Sequence, residues 1–328
     1  MNKIFSIALV SGLMLAGILG CNQPKQTEIK TDTGWSGYNI IATTGQINSA
    51  LVKLTEGTST KITLFCGPGV DPHSYSATTK DVEAMVDAHL IVYNGFHLEA
   101  KLSEQLDSTF KDKAWSMASA FPTKDRLEWE EEDAPAEEES FDPHIWNHLP
   151  AWSECVQGLA DKLVELDRDN GDVYRKNAEA YIKEINEAHE WAKEKLSALP
   201  EDRRVLVSAH DAFNYFAKVY GLETFAVLGI GNDPEADYQT MKEVAEKVTE
   251  KKVPAVFMEN ITNPKVISAL QEACAAKDWK VEVVPETLYS DDIGETAPQN
   301  TFLGAFRSNV EIIVKALSPK EVATTEAN

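Results

Sequence analysis

With 328 residues the chain has room for two domains and a large core. Its 31 lysines and arginines face 53 acidic residues, a net charge of -22, which repels phosphate backbones and excludes nucleic acid as a partner. The same surface gathers cations, although an acidic surface also simply keeps a soluble protein from aggregating.

The first stretch is read apart from the fold. Lys3 leads into the apolar run IFSIALVSGLMLAGILG, which ends at Cys21 and gives way to NQPKQTE. Small residues before a cysteine, followed by a polar segment, read as a bacterial lipoprotein signal over residues 1–20. Cys21 then becomes the lipidated N-terminus, and residues 21–37 form a flexible tether. The alternative is a retained anchor helix, and Leu19 is bulkier than usual before such a cysteine. Either way the folded part works outside the cytoplasm, at a periplasmic or outer cell surface. Three cysteines remain, Cys66, Cys155 and Cys274, without CxxC spacing. Cys66 and Cys274 read as small buried hydrophobes.

Short strands, apolar on both faces, are predicted at 39–43, 62–66, 90–93, 205–208, 224–228, 255–258 and 281–284. Continuous apolar strands of this kind belong to parallel sheets covered by helices. Between the two sets, residues 172–199 contain neither proline nor glycine. Tyr174, Ala178, Tyr181, Ile185 and Ala188 form one helical stripe there. Such a helix is about 40 Å long at 1.5 Å per residue and can join two lobes; a helical hairpin within one lobe is the alternative. The predicted fold is therefore α/β, with two lobes, each a parallel-rich sheet flanked by helices, joined by one long backbone helix. The N-terminal lobe is predicted at 38–171, the helix at 172–199, the C-terminal lobe at 200–318 and a tail at 319–328. Within the first lobe, 128–139 (EWEEEDAPAEEE) is a solvated acidic loop that either draws cations toward a site or is an inert insertion. The final helix carries Leu303, Phe306, Val310, Ile313, Val314 and Leu317 on one face.

Chemistry concentrates in a repeated tripeptide. Asp-Pro-His occurs at 71–73 in GPGVDPHSY and at 142–144 in FDPHIW. Proline restricts the preceding residue and removes a backbone donor, so each motif is a defined corner that presents an imidazole. His210 ends the apolar strand VLVSA, where open α/β sheets place their sites. Asp71, Asp142 and Asp211 each neighbour one of these histidines and are candidates to orient it. A carboxylate from Asp291 or Asp292 in LYSDDIGE completes an N3O set that suits zinc or manganese. Of the other histidines, His89 reads as structural, His97 as a cap or supporting group and His189 as solvent-facing. His148, four residues after His144, is set aside as a chelating partner because Pro150 and the need for an N-cap intervene.

From about 38 to 318 the chain resembles the solute-binding lipoproteins of zinc and manganese ABC importers, the TroA-type cluster. The resemblance rests on GPGVDPHSY, DVEAMVDAHLIVYNGFHLE, FDPHIW, RRVLVSAHDAFNYFAKVYGLE, and LYSDDIGE followed by NTFLGAFRSNVEIIV, in that order. It implies His73, His144, His210 and Asp291 as the metal ligands, thereby choosing between the two aspartates. It also implies a monomeric protein that captures Zn2+, with Mn2+ as the alternative, and hands it to the membrane permease of an ABC importer. His210 stands where manganese-selective members tend to carry glutamate, which leans toward zinc. His148 stands where relatives usually have aspartate, and the acidic loop takes the place of a histidine-rich loop found in some zinc-specific members. A secreted zinc hydrolase would need an open coordination position and a general base, and no HExxH is present. Surface adhesion, a label attached to some members, is the other alternative.

Overall fold

Apolar, β-branched tetrapeptides dictate the first sheet. Asn39–Ala42 (β1), Lys61–Leu64 (β2), Leu90–Tyr93 (β3) and Ala114–Ser116 (β4) pair in the order β2-β1-β3-β4. All three pairings are parallel, with Ile41 opposite both Thr63 and Ile91. The computed structural model describes residues 37–129, 140–231 and 237–319. The proposed signal, Cys21, most of the tether, most of the acidic loop and the end of the tail lie outside them. Successive β1 side chains enter different cores, Ile40 one and Ile41 another, as a sheet covered on both faces requires.

Helices supply that cover. Gly45–Leu54 (α1) follows β1, and Thr79–Asp87 (α2) begins at a reciprocal Thr78–Asp81 capping box. Ser103–Asp107 (α3) adds Leu106 to the α2 side, where Met85, Phe65 and Ile91 are buried with it. Leu149–Leu166 (α4) buries Trp152, Cys155, Leu159 and Leu163 against the other face. Gly171–Ser197 (α5) is the predicted long helix, 27 residues and about 40 Å. Its stripe of Tyr174, Ala178, Tyr181, Ile185, Ala188, Ala192 and Leu196 is buried.

The second half repeats the plan. Val205–His210 (β5), buried throughout, pairs in parallel with Glu223–Leu228 (β6). Ala255–Glu259 (β7) pairs in parallel with Glu282–Leu288 (β8), with a register irregularity between Phe257 and Glu259. Since β5 lies against β7, the lateral order is β6-β5-β7-β8. Asn214–Tyr220 (α6), Tyr238–Glu250 (α7), Pro264–Ala275 (α8) and Phe302–Leu317 (α9) complete this half. Its core joins Val207, Ala209 and Val256 to Val248, Ile267 and Leu270 of α7 and α8. Helix α5 runs unbroken; it packs most extensively against α4, which precedes it by a short turn, and also touches α1 of the first lobe and α6 and α9 of the second, so it connects the two.

Seven predicted strands are present, but β4 was not predicted. Three residues with one aromatic leave no alternation to read. Cys66, Cys155 and Cys274 are free and buried, and burial pushes each thiol above its usual range. Among the described residues no helix is long and apolar enough to cross a membrane.

Candidate metal centre

Four chain segments bring His73, His144, His210 and Asp291 together, all buried, with one candidate donor atom from each within 4.8 Å of the others. The Nε2 atoms of His73 and His210 each lie 3.2 Å from Asp291 Oδ2. His144 Nε2 lies 3.5 Å from Asp291 Oδ1 and 3.4 Å from His73 Nε2. His210 Nε2 and both Asp291 oxygens have no hydrogen-bond partner in the protein. Buried polar atoms are ordinarily paired. Here they face one another around a common point, and a divalent cation bound by imidazole nitrogen and carboxylate oxygen fits that donor set.

Each histidine reaches the point by a different support. At the first Asp-Pro-His corner, Asp71 Oδ1 accepts from the His73 backbone N–H at 2.9 Å, and Oδ2 accepts from the Ser74 hydroxyl. Asp71 therefore fixes the loop and leaves the ring alone. At the second corner, Asp142 Oδ1 accepts from the His144 backbone N–H at 2.9 Å and also meets the ring Nδ1 at 2.7 Å. That contact leaves Nε2 facing the cluster. Asn94 steadies the corner by donating to the Pro143 carbonyl at 2.7 Å, and its own backbone N–H is held by buried Glu99.

His210 is held by Glu259 and not by its neighbour Asp211. Glu259 Oε1 accepts from the Ala209 and His210 backbone N–H groups, while Oε2 meets His210 Nδ1 at 2.5 Å. Adjacent residues at a strand end point to opposite sides, so Asp211 turns away and accepts from Asn214 at 3.0 Å. Glu259 closes an otherwise apolar strand, AVFME, beside the strand that ends in His210. An acid at that position was the signal available in the sequence.

Electrostatics divide the rings. Burial pulls the His210 pKa down, but the carboxylates of Glu259 and Asp291 outweigh it and hold the ring well above the usual histidine value. Burial also opposes protonation of His144, and Asp291 with Asp142 outweighs it. For His73 burial wins: its pKa is lowered, with Asp291 opposing and the other two histidines reinforcing. Burial would raise the Asp291 pKa, yet His210 and His144 hold it well below the usual carboxylate range.

The remaining histidines stand apart. His148 caps α4 itself, its Nδ1 accepting from the Ala151 N–H at 3.1 Å, and its ring packs edge-on to Phe121 and Tyr215. His89 accepts from the Asn39 N–H, a structural role as predicted. His97 sits exposed in a left-handed turn (φ +64). The expectation of a solvent-facing His189 is corrected: its ring is half-buried against Tyr220, with Nδ1 3.2 Å from the hydroxyl.

The family described as zinc-uptake complex component A, periplasmic (ZnuA), matches residues 40–316. The manganese-binding lipoprotein MntA of Bacillus subtilis is 34% identical over 281 residues, 85% of this chain and 89% of that protein. The zinc-binding protein TroA of Treponema pallidum is 33% identical, over 85% of this chain and 88% of its own. The solved structure of periplasmic zinc-binding TroA superposes with a TM-score of 0.80 at 32% identity, covering 86% of this chain and all (100%) of the other. That of a laminin-binding adhesin, Lmb, from Streptococcus agalactiae gives 0.72 at 25% identity, covering 86% and 100%. With two α/β lobes, a long joining helix and this match over most of its length, the chain belongs to the zinc-uptake complex component A family.

Proposed function

We propose that the chain is an extracytoplasmic solute-binding protein that captures one divalent transition metal between its lobes and delivers it to the membrane permease of an ABC importer. His73, His144, His210 and Asp291 are the ligands in this reading. One observation carries it: three imidazole nitrogens and a carboxylate, all buried, converge on one point, and His210 Nε2 and both Asp291 oxygens have no hydrogen-bond partner there. Zinc is the favoured cargo. A tetrahedral set of three imidazole nitrogens and one carboxylate oxygen is a common zinc shell, and here the four donors all lie within 4.8 Å of one another. Manganese is the alternative, supported by the likeness to MntA, although imidazole nitrogen ranks zinc above it.

Four protein donors close a tetrahedral shell and leave no position for a reactive water, which favours transport over hydrolysis. Release requires the lobes to part, since His73 and His144 belong to the first and His210 and Asp291 to the second. The lobes divide at 38–171 and 200–318 about the 172–199 helix. In this reading the mature protein is a monomer, and lipid on Cys21 holds it to the membrane; the lipoprotein relatives support the anchor. Adhesion, favoured only by the likeness to Lmb, is the second reading.

Titration of metal-stripped protein (residues 22–328) with zinc and with manganese tests the proposal. One tight zinc per chain and much weaker manganese is the expected result, and no tight site for either ion overturns it. Loss of metal uptake in a deletion strain with unchanged host-cell attachment separates transport from adhesion.

A further inference from the structure

Asp291 and Asp292 are adjacent, both nearly inaccessible (1% and 2%), and turned to different tasks. Asp291 faces the three imidazoles. Asp292 Oδ2 accepts the backbone N–H of Gly69, in the first-lobe turn that runs through Asp71-Pro72 to His73. The same oxygen accepts from the Asn260 side chain at 3.3 Å, and Oδ1 accepts from the Ile293 N–H at 2.5 Å. Asn260 directly follows Glu259, the residue that holds His210. One carboxylate thus joins the loop bearing His73, the loop bearing Asp291 and the strand end that supports His210. Gly69 has φ +78, a left-handed conformation that glycine adopts without strain. The residue is itself exposed, while its N–H is held by Asp292.

We infer that Asp292 is a latch between the lobes: a positioning residue that binds no metal but keeps the His73 loop closed over the site and so slows release of the cargo. The inference rests on the capture reading above. Both oxygens of Asp292 accept from N–H donors, Oδ2 from two and Oδ1 from one. Asparagine keeps the shape but has only one accepting oxygen, so its amide nitrogen would confront either the Gly69 or the Ile293 N–H. The closed arrangement alone contains the Gly69 bond, because opening separates the lobes that share it. A substitution should therefore act on the closed, loaded protein far more than on the stripped one.

The test compares unaltered protein, Asp292→Asn and Asp292→Ala by stopped-flow release of zinc to a chelator and by the melting temperature with and without zinc. We expect one zinc per chain in all three and release at least about tenfold faster in both variants. Their melting temperatures should fall in the loaded state with little change in the stripped state. Equal losses in both states, or an unchanged release rate, would make Asp292 a merely structural residue and overturn the latch. Amide exchange in the unaltered protein gives a reading independent of whether the variants fold. Protection of the Gly69 amide in the zinc-loaded protein supports the latch, and fast exchange there overturns it. Failure of the unaltered protein to take up zinc would defeat the capture reading, whereas zinc uptake with fast Gly69 exchange would defeat the latch alone.

Discussion

In the first lobe four strands pair in the order β2-β1-β3-β4, whereas in the second two parallel pairs, β6-β5 and β7-β8, lie side by side with β5 next to β7, so the strands follow a similar order without forming one continuous sheet. Their donors do not come from matching places. The second lobe places His210 on the last residue of β5, with Glu259 at the end of β7 gripping both its backbone and its ring. The first lobe presents His73 and His144 from Asp-Pro-His corners well beyond its strand ends, and of the two it is His144 whose Nδ1 meets a supporting carboxylate from its own corner. A strand-end ligand inherits the rigidity of the sheet, whereas a corner ligand depends on its local hydrogen bonds. The second lobe is thus the fixed half of the site, and the His73 loop is the part able to yield.

The largest effect expected from breaking this arrangement is at Asp291, the charge that both lobes share. Asp291→Ala would leave three buried imidazoles with no counter-charge at their centre. Removing one partner of a buried charged set costs about 3–5 kcal/mol, so zinc affinity should fall by roughly 10²–10⁴-fold. Calorimetric titration of the variant checks this, and a loss under tenfold would show that the carboxylate is not a ligand. His210→Ala should likewise abolish high-affinity binding.

The supports come next and separate the lobes more sharply. Glu259→Gln and Asp142→Asn each loosen a ring whose Nδ1 they hold, and loss of such a partner typically costs about 10–100-fold in metal affinity. Asp71→Asn touches only backbone and the Ser74 hydroxyl, so its effect should be distinctly smaller. Equal losses for Asp71 and Glu259 in the same titration would erase the distinction between fixed and yielding halves.

Protons compete with metal in a direction set by these same partners. The His210 and His144 pKa values are raised in the folded, metal-free protein. The stability they add is complete below the unfolded histidine value of about 6.5 and is lost as pH rises through their folded values. Asp291, held low, adds stability above the usual carboxylate value and loses it only in stronger acid. Calorimetric melting of stripped protein should therefore show a falling melting temperature above about pH 6.5, and His210→Ala should flatten the fall. Zinc must displace the proton from His210, so affinity should already decline as pH falls from above that value. A flat affinity between about pH 5 and 8 would count against a three-histidine shell.

Much of this was legible in the chain. Seven strands announced themselves because a strand buried on both faces is apolar without a break, and α5 because nothing in 172–197 interrupts its stripe. The histidines were legible because proline corners and strand ends are local features. Glu259 was not, since its partner lies 49 residues away and only the adjacency of β5 and β7 brings them together. Asp292 was legible as an acid but not as a tie across the lobes, for the same reason: Gly69 is 223 residues distant. Local sequence identifies groups that need partners, while topology decides which partners they meet.

The smallest expected effect lies at His148, and it sharpens the comparison within the first lobe. Four residues from His144, its ring serves α4 as an N-cap and packs on Phe121 and Tyr215, with Asp125 at 3.9 Å. His148→Ala removes a cap worth about 1 kcal/mol together with some ring packing, so unfolding in denaturant should shift toward lower concentration. Zinc affinity should change less than about threefold, well under the 1.4 kcal/mol that a tenfold change represents. Tyr215 belongs to the second lobe, so any larger effect must travel through the interface and not through a metal bond. His148→Asn, which keeps a capping acceptor, should recover most of the stability. If affinity in both variants fell as far as in His210→Ala, His148 would have to be counted among the ligands and His144 reconsidered.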